Sequence, residues 1–79
     1  MNIPEDKLRF AYYYILKHRC GYIESLRVIH PEIPDYFHSI GYISTGVDAL
    51  GRERYKTTEE GTQHAKTSYI AMCARKIKD

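Results

Sequence analysis

Seventy-nine residues with 43% apolar side chains make one small domain spanning 1–79, expected to bury roughly 60–65% of its unfolded-chain surface, and no low-complexity tract argues for disorder. No apolar run approaches the ~18 residues of a membrane span, and no leader-like apolar core is visible, so a soluble cytoplasmic protein is expected with no membrane partner. A formal charge of +2 permits nucleic-acid binding without arguing for it.

Pro4 suits a first helical position, and Glu5 and Asp6 put negative charge where the helix dipole favours it. Leu8, Ala11, Tyr12, Ile15 and Leu16 then follow the spacing of an apolar helix face. Phe10, Tyr13 and Tyr14 widen that face beyond one stripe. Successive residues turn by about 100°, so some of these rings point outward and favour an oligomer or another partner; the bland reading is core packing on two sides. Lys17, His18 and Arg19 fit a helix C-terminus, with Gly21 as the residue that ends it.

Tyr22 and Ile23 open a possible short strand. A second helix is predicted from about Glu24 to His30, carrying Leu26, Val28 and Ile29 and stopped by Pro31. Pro34 begins a third helix of about seven residues that ends near Ile40, so the pair joined by Pro31-Glu32-Ile33 reads as a helix-turn-helix unit at about 23–41. Phe37 and Ile40, three apart, share a helix face. Gly41 supplies the left-handed stop, and Tyr42-Ile43 starts an extended run.

A hairpin follows at about 42–57. Asp48-Ala49-Leu50-Gly51 supplies turn chemistry. Arg52 to Thr57 then alternates, with Arg52, Arg54 and Lys56 on one face and Glu53, Tyr55 and Thr57 on the other. Thr57-Thr58-Glu59-Glu60 matches a capping box in which the Thr57 hydroxyl and the Glu60 carboxylate close the first turn of a last helix, about 58–77. Ala65, Tyr69, Met72 and Cys73 form its apolar face, with Ile70 and Ile77 beside them. The fold class is α+β, with three helices, a β-hairpin and a long C-terminal helix.

Chemistry is sparse. Cys20 and Cys73 form no CxxC pair; two free thiols are the expected state, with one disulfide as the alternative. His18, His30, His38 and His64 lack the short ligand spacing of a zinc site, so no metal is expected. Nor do we expect a cofactor or an enzyme: there is no GxSxG, no phosphate loop and no evident carboxylate pair. His64 and Cys73 are nine residues apart on one helix, over about 13 Å along its axis.

The runs Phe37-His38-Ser39-Ile40-Gly41-Tyr42-Ile43 and Tyr55-Lys56-Thr57-Thr58-Glu59-Glu60-Gly61 resemble the helix-to-wing and wing-to-last-helix segments of small prokaryotic winged helix-turn-helix regulators. The likeness covers about Leu8 to Ile77. It implies a transcriptional regulator that binds double-stranded DNA, with the third helix in the major groove and the hairpin as a wing on the phosphate backbone. On this chain the contacts would fall to Tyr36, His38 and Ser39 on the third helix and to Arg52, Arg54 and Lys56 on the wing. It also implies a homodimer, for which Phe10, Tyr13, Tyr14, Tyr69, Met72 and Ile77 are the candidate interface; the same residues could meet another protein. The third helix departs from the pattern. Groove-reading helices normally offer Arg, Lys, Asn or Gln to base edges, and this one offers Asp35, Tyr36, His38 and Ser39. A protein-binding winged-helix module, an adaptor or a phage-type inhibitor, is therefore the second expectation.

Overall fold

In a computed structural model, which describes residues 3–78 and their side chains as far as 74, the elements follow in the order α1 (Glu5–Lys17), β1 (Cys20–Tyr22), α2 (Ile23–Ile29), α3 (Ile33–Ser39), β2 (Ile43–Val47), β3 (Glu53–Thr57) and α4 (Glu59–Lys78). It is a small α+β domain of four helices and a three-stranded antiparallel sheet, in the spatial order β1-β3-β2.

α1 and α4 pack against each other along their apolar sides, and α2 and α3 close the other flank. The core is assembled from Ala11, Tyr12 and Ile15 of α1, Ile23 and Leu26 of α2, Ile33 and Phe37 of α3, Ile43 and Tyr55 of the sheet, and Ala65 and Met72 of α4. Phe37 lies at its centre, fully buried, with the Tyr12 ring stacked on it at 5.3 Å and the Tyr42 ring at 5.9 Å. Deleting a buried aromatic of this kind costs about 3–5 kcal/mol.

The stop at the end of α3 follows from Gly41. Its φ of +80° turns the chain left-handed. The Gly41 amide donates to the His38 carbonyl at 3.2 Å and the Tyr42 amide to the Phe37 carbonyl at 2.8 Å. That bond pair, with the Phe37–Tyr42 ring contact over it, is a Schellman ending with its usual apolar clasp.

Several local expectations shift. Pro4 is the N-cap of α1 rather than its first helical residue, and its carbonyl accepts from the Leu8 amide at 2.9 Å. α1 ends at Lys17 and is capped by His18, so Gly21 does not end the helix. It sits in β1 opposite Tyr55, where an added Cβ would lie 3.2 Å from the ring. Ile23 starts α2 instead of extending β1.

The cap of α4 moves by one residue. Strand alternation turns Thr57 inward, 7% exposed, and its hydroxyl donates to the Ile15 carbonyl at 3.0 Å. Thr58 caps α4 instead, its hydroxyl oxygen accepting from the Gly61 amide at 2.9 Å while the hydroxyl proton goes to the Gly41 carbonyl at 2.7 Å. The third helical position is Gly61, so no Glu60 carboxylate completes a box. Glycine is required there: a Cβ would lie 2.0 Å from the Tyr42 carbonyl oxygen.

Candidate functional site

The most distinctive surface begins on β3. Alternation sends Tyr55 and Thr57 into the core and leaves Arg54 and Lys56 on the outer face of the sheet. Register completes that face, with Cys20 and Ser44 flanking Lys56 and with Tyr22 and Gly46 flanking Arg54. Arg52, just before the strand, joins through its side chain. Its guanidinium carbon stands 4.7 Å from the centroid of the Tyr22 ring, and that of Arg54 stands 4.6 Å from the same centroid. Arg52 also meets the Asp48 carboxylate at 3.4 Å. Among the described residues, no carboxylate comes within ion-pair distance of Arg54 or Lys56.

The turn holding this face is fixed by Asp48. One carboxylate oxygen accepts from the Leu50 and Arg52 amides, each at 2.9 Å, and the Asp48 amide donates back to the Arg52 carbonyl at 3.0 Å. Gly51 takes a φ of +81° to close the loop. The Arg52 amide, more than any other group, holds the Asp48 carboxyl below its ordinary pKa; desolvation opposes it, and the Leu50 amide and the Arg52 and Arg54 charges add to the lowering. The tip carries Val47 and Leu50, both largely exposed. Beside the hairpin, a cleft of about 440 Å³ opens between the start of α2 and the turn, lined by Tyr22, Arg27 and Arg52 among others. Arg27 is paired with Glu24 on its own helix.

α3 is different in character. Ile33, Pro34 and Phe37 are buried, and the helix shows Asp35, His38 and Ser39 to solvent. Tyr36 leans inward, half-buried, with its ring 5.8 Å from Phe37 and its hydroxyl beside that of Tyr12. The Ser39 hydroxyl donates to the Tyr36 carbonyl at 2.8 Å. The three hairpin cations are thus brought together, whereas Tyr36 is separated from His38 and Ser39 by its inward lean.

The candidate interface on α1 and α4 divides as well. Phe10 and Tyr13 are 54% and 40% exposed, 6.5 Å apart edge to face, and Tyr13 reaches the half-buried Tyr69 at 5.6 Å. Tyr14 turns toward His18, with ring centroids 4.7 Å apart. Met72 is 6% exposed and belongs to the core between the helices, which removes it from any outer surface. The side chain of Ile77 lies outside the described residues. Tyr12, in the same helix, is sealed inside; burial above all, with the neighbouring Tyr36 and Tyr42 phenols, pushes its pKa up to about 12. Burial likewise raises the Tyr55 phenol, whose hydroxyl donates to the His18 carbonyl at 2.7 Å.

Cys20 and Cys73 are free thiols. Among the described residues no group of three His, Cys, Asp or Glu side chains could hold a metal ion, and no described helix is long and apolar enough to cross a membrane. The residue that sequence reasoning missed is Tyr22. Its place in the β1–β3 register is the only signal that would have revealed it, and three residues of strand are too few to declare that register alone. Comparison with known protein families, curated proteins and solved structures finds no match to this chain.

Proposed function

We propose that this chain is a small winged-helix DNA-binding protein acting as a transcriptional regulator in the cytoplasm, without enzymatic activity. One observation carries the reading: Arg52, Arg54 and Lys56 gather on one exposed sheet face, and two of the three have no carboxylate partner among the described residues. Such cations attract phosphate oxygens and release the counterions of a duplex. The turn-linked α2–α3 pair, the hairpin and the sheet order β1-β3-β2 support the winged-helix assignment. In this reading the β2–β3 wing holds the backbone, His38 and Ser39 approach the groove with Tyr36 behind them, and the Phe10–Tyr13–Tyr69 ridge meets a second copy.

A second reading, a protein-binding adaptor or inhibitor, is favoured by α3 itself. Its exposed positions carry Asp35 and no Arg, Lys, Asn or Gln, and the apolar Val47 and Leu50 stand at the wing tip.

Fluorescence anisotropy with random-sequence duplex DNA at low and moderate salt, alongside light scattering for mass, separates the two. A dimer binding with Kd of about 10⁻⁶ M or tighter at low salt, and weakening steeply as salt rises, is the expected result. Absence of binding at low salt overturns the regulator and leaves the protein-partner module.

A further inference from the structure

We infer that the outer sheet face is a phosphate clamp in which Tyr22 is the positioning residue, presenting Arg52 and Arg54 as a pair to the phosphodiester backbone of a nucleic acid. The inference rests on the DNA-binding reading above and assigns a role to a residue outside both the wing and α3.

Two arginines separated by one residue project from the same face of the hairpin, and their charges repel. Each side chain also carries about 2 kcal/mol of rotamer entropy, so an unsupported pair would splay. Tyr22 opposes both tendencies. Its ring is the cross-strand neighbour of Arg54, and both guanidinium carbons stand within 4.7 Å of its centroid, where the negative face of the ring attracts a cation. The two charges therefore stand no farther apart than the sum of their distances to that centroid. Asp48 also holds Arg52, at 3.4 Å, and is itself fixed by two backbone amides. Arg54, with no carboxylate in ion-pair range among the described residues, keeps its donors for a ligand.

Lys56 continues the track. It lies two residues beyond Arg54 on the same face, about 6.6 Å along the strand. One strand of a duplex advances about 3.4 Å along the axis per phosphate and winds around it as well, so consecutive phosphates lie about twice that far apart and the track matches one phosphate step. Planar guanidiniums suit bidentate contact with phosphate oxygens, and cations already held in place lose less freedom on binding. Charge and spacing together point to a phosphodiester chain as the occupant.

The test compares wild type, Tyr22→Phe and Tyr22→Leu by duplex-DNA anisotropy over a range of salt, and by NMR of the arginine Nε–H signals. Tyr22→Phe keeps the ring and is expected to bind within about twofold of wild type, because the ring face and not the hydroxyl holds the cations. Tyr22→Leu is expected to weaken low-salt binding about tenfold, the size of two exposed cation–ring interactions. Its salt slope should fall by about 1, as when one phosphate contact is lost. The Arg52 and Arg54 Nε–H signals should lose their ring-current shift in Tyr22→Leu while the melting temperature holds. If duplex binding and slope are the same in Tyr22→Leu as in wild type, the clamp is overturned and the DNA reading stands. If wild type binds no duplex, the DNA reading fails, and titration with a single-stranded oligonucleotide decides the clamp. Movement of both arginine signals in wild type but not in Tyr22→Leu supports it, and no movement in wild type overturns it. A poly-glutamate peptide that binds as tightly as an oligonucleotide of equal charge overturns the phosphodiester assignment.

Discussion

The junction around Tyr42 and the outer face around Arg54 use the same short sheet in opposite ways. At the junction, backbone meets backbone. The Tyr42 carbonyl accepts from the Thr58 amide at 3.0 Å and leaves no room for any side chain at Gly61. On the outer face, side chains alone matter, and Arg54 and Lys56 make no ion pair among the described residues. The contrast teaches where this molecule has been committed to folding and where it is free for binding. A residue hemmed in by main chain is answerable to stability. A charged residue without an ion pair, touched by side chains alone, is far less bound to the fold.

Gly61→Ala strikes the junction and should show the largest effect. Either α4 or β2 must retreat from a 2.0 Å clash with main chain, at a cost of about 1–3 kcal/mol by the measure of overpacked cores. Urea denaturation reads this directly, and a variant as stable as wild type would break the comparison at its firmer end. A comparable loss is expected at alkaline pH. The Tyr12 phenol ionises near 10.0 in the unfolded chain and near 12 in the folded one, and the Tyr55 phenol is raised in the same sense. The stability they contribute is whole below pH 10 and is lost as pH climbs toward about 12. Unfolding followed by circular dichroism should advance over that interval, together with tyrosinate absorbance; a flat stability curve would mean that both rings are reached by water. The smallest effect belongs to the outer face. Arg54→Gln with Lys56→Gln should change stability by less than about 1 kcal/mol, the size of the one cation–ring contact it removes. A clear destabilisation in thermal melts would show that those cations serve the fold after all.

Much of the fold was legible because its punctuation is local. Pro31, Pro34 and Gly41 bracket α3 at seven residues, and Gly41 both ends the helix and turns the chain as its conformational freedom suggests. Period-two alternation correctly divided Tyr55 and Thr57 from Arg54 and Lys56. What escaped depends on partners distant in the chain. Thr57 and Thr58 are equally good caps in isolation; strand alternation and the Ile15 carbonyl together assign Thr57 to the core and leave Thr58 to α4. Gly21 resembles a helix stop until the Tyr55 ring lies across it. Met72 and Tyr69 share one broad apolar stripe, and the packing of α1 decides that Met72 is sealed while Tyr69 stays half open. Tyr22 gains its arginines through a register that three residues cannot announce.

The knot at Tyr42 also has a mechanical meaning. One end of it is the last turn of α3, through the Phe37 carbonyl and the Gly41 turn. The other end is the first turn of α4, through Thr58 and Gly61, and His64 one turn further along lies flat on the Tyr42 ring at 5.3 Å. α3 and α4 are therefore coupled at a single point, where hydrogen bonds and a close main-chain contact leave little slack between the end of the short helix and the start of the long one. The β2–β3 hairpin is anchored separately, through the pairing of β3 with β1 and the bonds of Tyr55 and Thr57 to the end of α1.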